Sequence, residues 1–460
     1  MIPKLKHRGP DSQTICIDKN IAIGFQRLEI NGDEFDGRQP FELQGWISVT
    51  NGEIYNYQAL AKKHQLNANN CDTKIILPLY LKLKEQIVEK LDGFYSAVLI
   101  NPTRSKAICL RDAMGKKPLF VGVSNGMTFI SSELKPFDSI EWFKPLPKGV
   151  SVVELSTGEV TELYKQSSKI GNCNIVDALT YSIRKRLPSL NQPVAVFLSG
   201  GLDSSIIASI TSKVRGDVVY FTLSDTTSND YVAARTVAHY LNLKNLIVVP
   251  LPSDDELPHL INRIVYATES FNPSIVSNGL ATYLLARAAQ NLCIKVVLTG
   301  EGADELFGGY HQFSDRDPWS ETRERLIQDM TFTELRRLDL ACMANGIEPR
   351  CPFLDPVVKS LSDRMSFSEL YADDINKMVL RKAFKGALPQ EIIYRKKISC
   401  DVGSGIRTMV VRYLKRNGRS EREELLTIWK QYFNFDPTQS YFHSYPVFDV
   451  AIDARGEVHR

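Results

Sequence analysis

The sequence predicts an α/β protein of two domains: stacked β-sheets flanked by helices, followed by a doubly wound parallel α/β sheet with extra helices. Three observations predict this fold class. The chain of 460 residues is too long for one ordinary core. Its composition, 43% apolar and 24% charged, is that of a globular protein. The spacing of apolar residues also changes at a polar stretch, KQSSKIGN. We therefore expect one domain over residues 1–165 and another over residues 175–460.

The first domain is predicted from short apolar segments between residues 21 and 155, separated by turn clusters such as NGD and DGRQP. The expected strands are IAIGF, WISVT, YSAVLI, KAICL, PLFVGV, MTFISS and VSVVEL. Helical spacing of apolar residues appears mainly over residues 55–64 and 73–91. This pattern favours stacked sheets with helices outside them.

The second domain is predicted from a different pattern. An amphipathic helix is expected near residues 176–186, and the apolar strands VAVFL, VVYFTL, LIVVPL and IKVVLTG then alternate with helical segments such as DYVAARTVAHYLNL. Short, wholly apolar strands alternating with helices indicate a parallel sheet covered on both faces. Beyond Pro318 the chain is expected to be mostly helical.

Composition excludes several classes of protein. The formal net charge of +3 gives no sign of binding to nucleic acid or membrane surfaces through bulk electrostatics. No apolar run reaches the roughly 18–20 residues needed to span a bilayer, and the start of the chain lacks the apolar core of a signal peptide. The eight cysteines are scattered without metal-ligand spacing, which indicates free thiols. We expect a cytoplasmic protein without nucleic-acid or membrane partners.

The segment VAVFLSGGLDSSIIASI places a turn rich in glycine and serine between a buried strand and a helix. Glycines let the backbone approach a ligand closely, and amide groups at a helix N-terminus attract anions. Alone, such a turn is equally typical of a plain helix cap, but its place after the first strand of the sheet favours a phosphate or pyrophosphate cradle. The lysine of a P-loop is absent, so a kinase-like NTPase is not indicated. A carboxylate beside phosphates, Asp203, then requires Mg²⁺ between them.

A second loop, VVLTGEGADELFGGY, follows a later strand of the same predicted sheet. Open α/β sheets bind ligands at the carboxyl ends of their strands, so both loops should meet at one edge. This convergence favours a binding site over a solvated turn. Asp304 is then expected to be a second magnesium ligand, and Glu301 an acid–base group.

These motifs resemble a known enzyme family. SGGLDSS resembles the pyrophosphate loop of ATP-pyrophosphatase enzymes, and with LTGEGADELFGGY, RCPFLD and YRKKISCDVGSG it is similar to the synthetase domain of asparagine synthetases. The first half carries HRGPD, FQRLEIN, TNGEIYN, NCDTKIIL, RDAMGKKPLF and SSELK, which resemble the Ntn glutaminase-like half of the same family. The resemblance runs from His7 to at least Gly405.

The resemblance implies an ATP-dependent, AMP-forming amide synthesis. A carboxylate, aspartate by default, attacks the α-phosphate of ATP, pyrophosphate leaves, and ammonia displaces AMP from the acyl-adenylate. By resemblance Asp203 and Asp304 hold Mg²⁺, and Glu301 accepts the proton of the attacking nitrogen. Lys397 is implied to stabilise the oxyanion and pyrophosphate charge, although spacing alone favours a solvated basic run, and Tyr310 is implied to order the site. The residues implied around the nucleotide and pyrophosphate are Leu198, Ser199, Gly200, Gly201, Asp203, Ser204, Ser205, Leu223, Thr299 and Gly300.

The glutaminase half of this family begins with a cysteine directly after the initiator methionine, and its thiol attacks glutamine. Here residue 2 is isoleucine and HRGPD comes almost at once, so we expect the nucleophile and the first strand to be missing. Much of the glutamine pocket matches the family nevertheless, at Arg27, Asn51, Gly52, Glu53 and Asp72. The motif NGEIYN is also explained by a simple β-turn with Gly52 at positive φ.

Three explanations of the short start stay open: an ammonia-dependent synthetase that has lost its glutaminase activity, a specialised ligase joining another carboxylate and amine, or an incomplete chain whose first segment lies elsewhere, for example on a partner chain. Outside the enzymes, the alternative is a noncatalytic glutamine or nucleotide sensor. A sensor has no evident need for Asp203, Asp304, Glu301 and Lys397, which favours an enzyme. A homodimer through the first half would resemble bacterial members of the family.

Overall fold

The computed structural model describes residues 2–18, 20–32, 35–101, 103, 105–137, 140–166, 173–310 and 318–443. The chain divides into two compact units, Met1–Ser168 and Lys169–Arg460. Within the described ranges, no helix combines the length and the apolar character needed to cross a membrane.

The first unit is built mainly from antiparallel strands. Its strands are β1 (Ser12–Asp18), β2 (Ile21–Arg27), β3 (Phe41–Leu43), β4 (Trp46–Ile54), β5 (Gly93–Ile100), β6 (Lys106–Arg111), β7 (Phe120–Ser124), β8 (Met127–Ser131), β9 (Trp142–Pro145), β10 (Gly149–Glu154) and β11 (Val160–Tyr164). Its α-helices are α1 (Tyr57–His64) and α2 (Ile76–Leu83), and its 3-10 helices are Ile2–Arg8, Asp72–Ile75 and Lys84–Glu89.

These strands form layered sheets. Six strands follow the order β11-β10-β6-β5-β4-β3, three follow the order β8-β7-β9, and β1 pairs with β2. Side chains alternate between the faces of a strand, so neighbouring residues of β5 belong to two cores. Val98 shares a core with Val121 of the three-stranded sheet, whereas Leu99 shares a core with Ile76 of α2. The predicted stacked sheets with flanking helices are confirmed.

The helical segment expected over residues 73–91 is interrupted, so that prediction is wrong in part. Helix α2 ends at Leu83 because Lys84 has a φ of 52°, in the left-handed region. A right-handed helix does not continue through such a residue. The chain then continues as a separate 3-10 helix.

A buried ion cluster, here called the Glu133 cluster, ties the HRGPD segment to the rest of the first unit. The carboxylate of Glu133 is fully buried and accepts hydrogen bonds from Arg8 at 2.6 Å and from His7 at 3.0 Å. Lys135 lies 2.6 Å from the same carboxylate. Burial opposes ionisation, but the charges of His7, Lys135 and Arg8 outweigh it and hold the pKa of Glu133 well below its usual range.

The second unit is centred on a parallel sheet in the order β14-β13-β12-β15-β16. Its strands are β12 (Val194–Phe197), β13 (Val219–Leu223), β14 (Leu246–Val249), β15 (Val296–Leu298) and β16 (Glu348–Arg350), with a small hairpin of β17 (Tyr371–Ala372) and β18 (Ile375–Asn376).

Helices surround this sheet and make up most of the described chain after Pro318. They are α3 (Ile175–Arg186), α4 (Leu202–Val214), α5 (Asn229–Tyr240), α6 (Leu257–Thr268), α7 (Pro273–Asn291), α8 (Ala303–Phe307), α9 (Trp319–Asp329), α10 (Glu334–Met343), α11 (Pro356–Asp363), α12 (Phe367–Leu370), α13 (Met378–Ala383), α14 (Gln390–Ile393), α15 (Cys400–Ser404), α16 (Ile406–Leu414), α17 (Glu421–Trp429) and α18 (Ser440–His443), with 3-10 helices at Pro352–Leu354 and Lys415–Asn417.

The order of the parallel strands positions the candidate site. The chain starts the sheet at its centre, adds β13 and β14 on one side, and then crosses to add β15 and β16 on the other. Ligands of doubly wound sheets bind where the strand order reverses, which here is the carboxyl end of β12 and β15. The doubly wound prediction is therefore confirmed.

The sequence patterns did not reveal β16. Two of its three residues, Glu348 and Arg350, are charged, and such residues are seldom fully buried unless paired. In the structure both are buried, and Arg350 Nε donates to Glu348 Oε1 at 2.9 Å. Because the two charges neutralise each other, this polar segment can be buried as an edge strand of the sheet.

Candidate active site

The first loop of the site joins β12 to α4. Gly200 has a φ of 71°, a conformation that favours glycine, and a Cβ there would overlap the backbone of α5 at Ala233. Within the loop, the backbone NH of Gly201 donates to Ser199 Oγ at 3.3 Å, and Ser204 Oγ donates to the Gly201 carbonyl at 3.1 Å. The result is a tight turn whose hydroxyl and amide groups lie at the N-terminus of a helix of 13 residues.

The second loop joins β15 to α8 and touches the first. A Cβ on Gly300 would lie 2.9 Å from the Cβ of Asp203, so glycine is needed where the two loops meet. Gly302, at the start of α8, has a φ of 92°. The predicted convergence of the two loops at one edge of the sheet is present in the structure.

Two lysines neutralise the carboxylates that these loops bring together. Lys377 Nζ lies 2.5 Å from Asp203 Oδ2 and 2.5 Å from Asp304 Oδ1, and Lys397 Nζ lies 2.6 Å from Asp304 Oδ2. Burial opposes ionisation of Asp304, but its two ammonium neighbours lower its pKa below the usual range. Burial raises the pKa of Asp203 above its usual value; Lys377 opposes that rise and the neighbouring Asp304 adds to it.

The residues present fit a magnesium ion. Asp203 Oδ1 is buried and has no hydrogen-bond partner, so one carboxylate oxygen is left for another ligand. Magnesium binds oxygen and is commonly held by one or two carboxylates together with substrate phosphates. Among the described residues, no group of three or more His, Cys, Asp or Glu side chains is arranged to hold a metal alone. Phosphate oxygens would have to complete the coordination.

Glu301 is held by an arginine that the sequence analysis did not single out. Arg337 of α10 pairs with Glu301 Oε1 and also donates to Thr282 Oγ1 at 3.0 Å. Burial alone would lower the pKa of Arg337, but the charge of Glu301 raises it above its usual value. The pairing orients the Glu301 carboxylate, which remains 26% exposed.

Tyr310 contacts a different glutamate from the proposed acid–base group. Its hydroxyl donates to Glu305 Oε1 at 2.5 Å. Burial raises the pKa of Glu305 well above the usual value, and the nearby Glu334 and Asp304 carboxylates add to the effect. Tyr310 therefore supports the acidic loop through Glu305. His311, which directly follows Tyr310 in the sequence, lies outside the described residues.

Two residues of the basic run before α15, Arg395 and Lys397, contact the site, although Lys397 remains partly exposed to solvent. Arg395 donates to the Ser199 carbonyl at 3.2 Å and to Asp230 at 2.8 Å. Burial raises the pKa of Asp230 to about 6, although the charge of Arg395 opposes that rise. The run thus supports the first loop through Arg395 while Lys397 reaches Asp304.

The two loops open into a cavity of about 1170 Å³. Most of the predicted nucleotide-site and catalytic residues line it; Gly200 and Ser205 do not, since Gly200 packs against α5 and Ser205 is fully buried. The predicted residues on the wall are Leu198, Ser199, Gly201, Asp203, Ser204, Leu223, Thr299, Gly300, Glu301, Asp304, Tyr310 and Lys397.

In the first unit, the predicted glutamine-pocket residues form a connected group. Arg27 donates to the carbonyls of Asn31 and Gly32 at 3.3 and 3.1 Å, and Asn31 Nδ2 donates to Glu53 Oε1 at 2.6 Å. Asp72 accepts from the backbone NH of Ile54 at 2.7 Å. Asn31, which the sequence analysis did not select, therefore links Arg27 to Glu53.

Asn51 and Gly52 lie on β4 next to this group. The Asn51 amide nitrogen is buried without a hydrogen-bond partner. A buried donor of this kind is suited to bind a ligand. Gly52 has a φ of 143°, and a Cβ there would overlap the carbonyl of Phe94. The alternative explanation of NGEIYN as a β-turn is wrong, because Gly52 pairs with Tyr95 inside the β4–β5 ladder.

Comparison with known families covers both units. The asparagine synthase family matches residues 174–332 and 315–431, and a glutamine amidotransferase domain family matches residues 1–165. Together with the loops of the parallel sheet, these matches define an ATP-dependent carbon–nitrogen ligase that carries an amidotransferase-like unit. More particularly, the chain belongs to the asparagine synthase family, which confirms the resemblance seen in the motifs.

Individual relatives support the same family assignment. The chain is 31% identical over 444 residues to a probable glutamine-hydrolysing asparagine synthetase of Acanthamoeba polyphaga mimivirus, covering 86% of this chain and 80% of that protein. It is 30% identical to the glutamine-hydrolysing asparagine synthetase of Asparagus officinalis, covering 87% and 73%. A solved glutamine phosphoribosylpyrophosphate amidotransferase from B. subtilis aligns at a TM-score of 0.28 and 16% identity, over 43% of this chain and 50% of that one, too low to support an argument.

Proposed function

We propose that this chain forms an amide from a carboxylate and ammonia in an ATP-dependent, AMP-forming reaction, with aspartate as the acid and asparagine as the product. A carboxylate oxygen attacks the α-phosphorus of ATP, the bond to the β-phosphate breaks, and pyrophosphate leaves. Ammonia then attacks the acyl-adenylate and AMP leaves. The observation that carries this proposal is the meeting of Asp203, Asp304 and Lys397 at the reversal point of the sheet, inside one cavity.

The first loop is suited to the leaving pyrophosphate. Its amide groups and the hydroxyls of Ser199 and Ser204 lie at the N-terminus of α4, where backbone NH groups and the helix dipole favour an anion. Lys397 adds a positive charge on the same side. Such groups stabilise charge as it develops on the departing oxygens.

Magnesium is part of the proposal because Asp203 and Asp304 place two carboxylates beside this loop, and Asp203 keeps an unpartnered oxygen. When bound, the ion would neutralise negative charge on the phosphate oxygens. Asp203 and Asp304 would hold the ion, and the loop would position the phosphates beside it.

Glu301 is the proposed proton acceptor. Attack by ammonia leaves a positively charged nitrogen that must lose a proton before the amide is complete. Glu301 lines the same cavity as the phosphate loop, and Arg337 fixes one of its oxygens. The other oxygen is left to accept the proton, directly or through water.

Ammonia is the proposed nitrogen source for this chain, with the glutaminase step lost. Glutamine hydrolysis of the amidotransferase type needs an activated thiol. Among the described residues, Cys71 adjoins the glutamine-pocket group, but burial and the charge of Asp72 raise its pKa. Its thiol therefore stays protonated at neutral pH and is a weak nucleophile.

The second candidate function is the same type of reaction with a different carboxylic acid and a different amine as substrates. Arg337 and both lysines of the site are already paired with carboxylates, so these residues alone do not specify aspartate. A panel of carboxylic acids and amines, with pyrophosphate release as the readout, separates the two candidates. A purely sensory protein is disfavoured because its function would not require Asp304, Lys397 and Glu301 around one cavity.

The test supplies the purified chain with ATP, Mg²⁺ and aspartate, adds either ammonia or glutamine, and measures pyrophosphate, AMP and asparagine together. We expect asparagine with ammonia and none with glutamine. Asp203→Asn should abolish pyrophosphate release, whereas Asp254→Asn, at an exposed position outside the cavity, should leave it unchanged. Full activity of Asp203→Asn would refute the magnesium assignment, and equal asparagine from glutamine would refute the loss of the glutaminase step.

A further inference from the structure

Lys377 occupies the space between the two carboxylates of the site. Its ammonium nitrogen donates to Asp203 Oδ2 at 2.5 Å and lies at the same distance from Asp304 Oδ1. The side chain is only 3% exposed. Both oxygens that it contacts belong to the side chains proposed as magnesium ligands, so the ammonium stands where a cation shared by Asp203 and Asp304 would stand.

The surrounding chain is built to place this lysine. Lys377 follows the β17–β18 hairpin and has a φ of 52°, an uncommon conformation for a residue other than glycine. The preceding Asn376 donates to the Gly309 carbonyl at 2.7 Å. A Cβ on Gly309 would overlap both Asp304 and Lys377. Strained backbone of this kind persists where its surroundings fix it, and it clusters at functional sites.

The charges of the cluster explain why the arrangement matters. Asp203 and Asp304 carry two negative charges, and Lys377 and Lys397 carry two positive charges, so the group is formally neutral. A divalent cation entering alone would meet no net negative charge and would have to displace an ammonium group that is already buried and paired. A cation that arrives with the phosphates of a nucleotide brings its own negative charge.

We propose that Lys377 is a resident counter-ion which fills the metal position of the nucleotide-free protein, so that the divalent cation binds only together with the nucleotide. The flexible four-carbon stem of lysine lets its ammonium leave when the cation enters. The inference rests on the proposed function in one respect, the assignment of Asp203 and Asp304 as metal ligands. In this arrangement, the divalent cation binds the protein only when the nucleotide binds.

The test measures binding of Mn²⁺ alone to the full chain without nucleotide, by the electron paramagnetic resonance signal of the free ion. Mn²⁺ is the probe because it prefers the same oxygen ligands as Mg²⁺. Lys377→Met removes the charge and keeps most of the stem, and Lys377→Gln serves if the first variant fails to fold. We expect either to bind Mn²⁺ at least about tenfold more tightly than the unmodified chain.

Lys385→Met is the matched control, because this lysine is exposed and does not line the cavity; it should bind Mn²⁺ as the unmodified chain does. Unchanged or weaker binding by the Lys377 variants would overturn the proposal. Adding Asp203→Asn to Lys377→Met should abolish the gain. If the gain survives, the cation does not sit at Asp203 and the magnesium assignment itself is wrong. Because the assay needs no turnover, it is independent of which acid the enzyme uses.

Discussion

Replacing Gly200 with alanine should damage the proposed phosphate loop through geometry alone. The residue has a φ of 71°, and a Cβ at this position would come within 2.5 Å of the backbone of Ala233 and Ala234 in α5. Either α5 or the loop would have to move to make room, and a shift of the loop would displace the hydroxyls at the start of α4. The substitution adds one methyl group and removes no polar contact. Any loss of stability or binding therefore reports on the backbone shape of the loop.

The expected magnitude has two parts. Holding an L-residue in the left-handed region costs about 1–2 kcal/mol, and forcing a methyl group into closely packed backbone costs about 1–3 kcal/mol. Together they predict that the free energy of unfolding falls by about 2–5 kcal/mol. Gly216→Ala is the control, because a Cβ there meets nothing within 4 Å and its φ is not positive.

Urea unfolding followed by circular dichroism compares the two variants, and hydrogen exchange read by mass spectrometry locates the loss. We expect faster exchange in α4 and α5 of Gly200→Ala, together with weaker binding of ATP. Gly216→Ala should match the unmodified chain in both measurements. Equal midpoints and equal exchange for the two variants would show that Gly200 is not held as the structure describes, and the reasoning would fail.

Two further outcomes are expected. Glu301→Gln should keep ATP–pyrophosphate exchange within a few fold but lower amide formation by about 10²- to 10⁴-fold; equal loss of both would place Glu301 in adenylation. Glu133→Gln should lower the free energy of unfolding by about 3–5 kcal/mol, because it leaves buried cations without their partner. Since the pKa of Glu133 is lowered on folding, its stabilisation is present above the unfolded pKa of about 4.3 and is lost as pH falls below it. Urea unfolding between pH 3 and 7 should therefore show a flatter acid dependence for Glu133→Gln; an unchanged acid dependence would contradict the ion cluster.

The loops of the site could be predicted because each is a local pattern. An apolar strand, a glycine–serine turn and a helix follow one another within residues 194–214, and the second loop repeats this order with acidic residues. The rule that parallel strands bring their carboxyl ends to one edge then sufficed to join Asp203 to Asp304. The helical segment over residues 73–91 was mispredicted in part, since the left-handed turn at Lys84 carries no glycine or asparagine to announce it.

Other parts of the site have no local signal. Arg337 meets Glu301 across 36 positions of sequence, and Lys377 meets Asp203 across 174. Nothing in the segment around either cation distinguishes it from a solvated basic side chain. Likewise, Asn31 links Arg27 to Glu53 only because the turn after β2 lies near the end of β4 in the folded chain.

The resemblance of the sequence motifs indicated the family. Apolar periodicity and glycine-rich turns predicted the α/β fold class and the two loops of the candidate site, because such patterns act over a few residues and report directly on local backbone. Only the tertiary structure decided which cations neutralise the carboxylates, and that Lys377 stands between Asp203 and Asp304. The physical reason is that buried charges must be paired. The partner that satisfies this need is chosen by proximity in the folded chain, whatever its distance along the sequence.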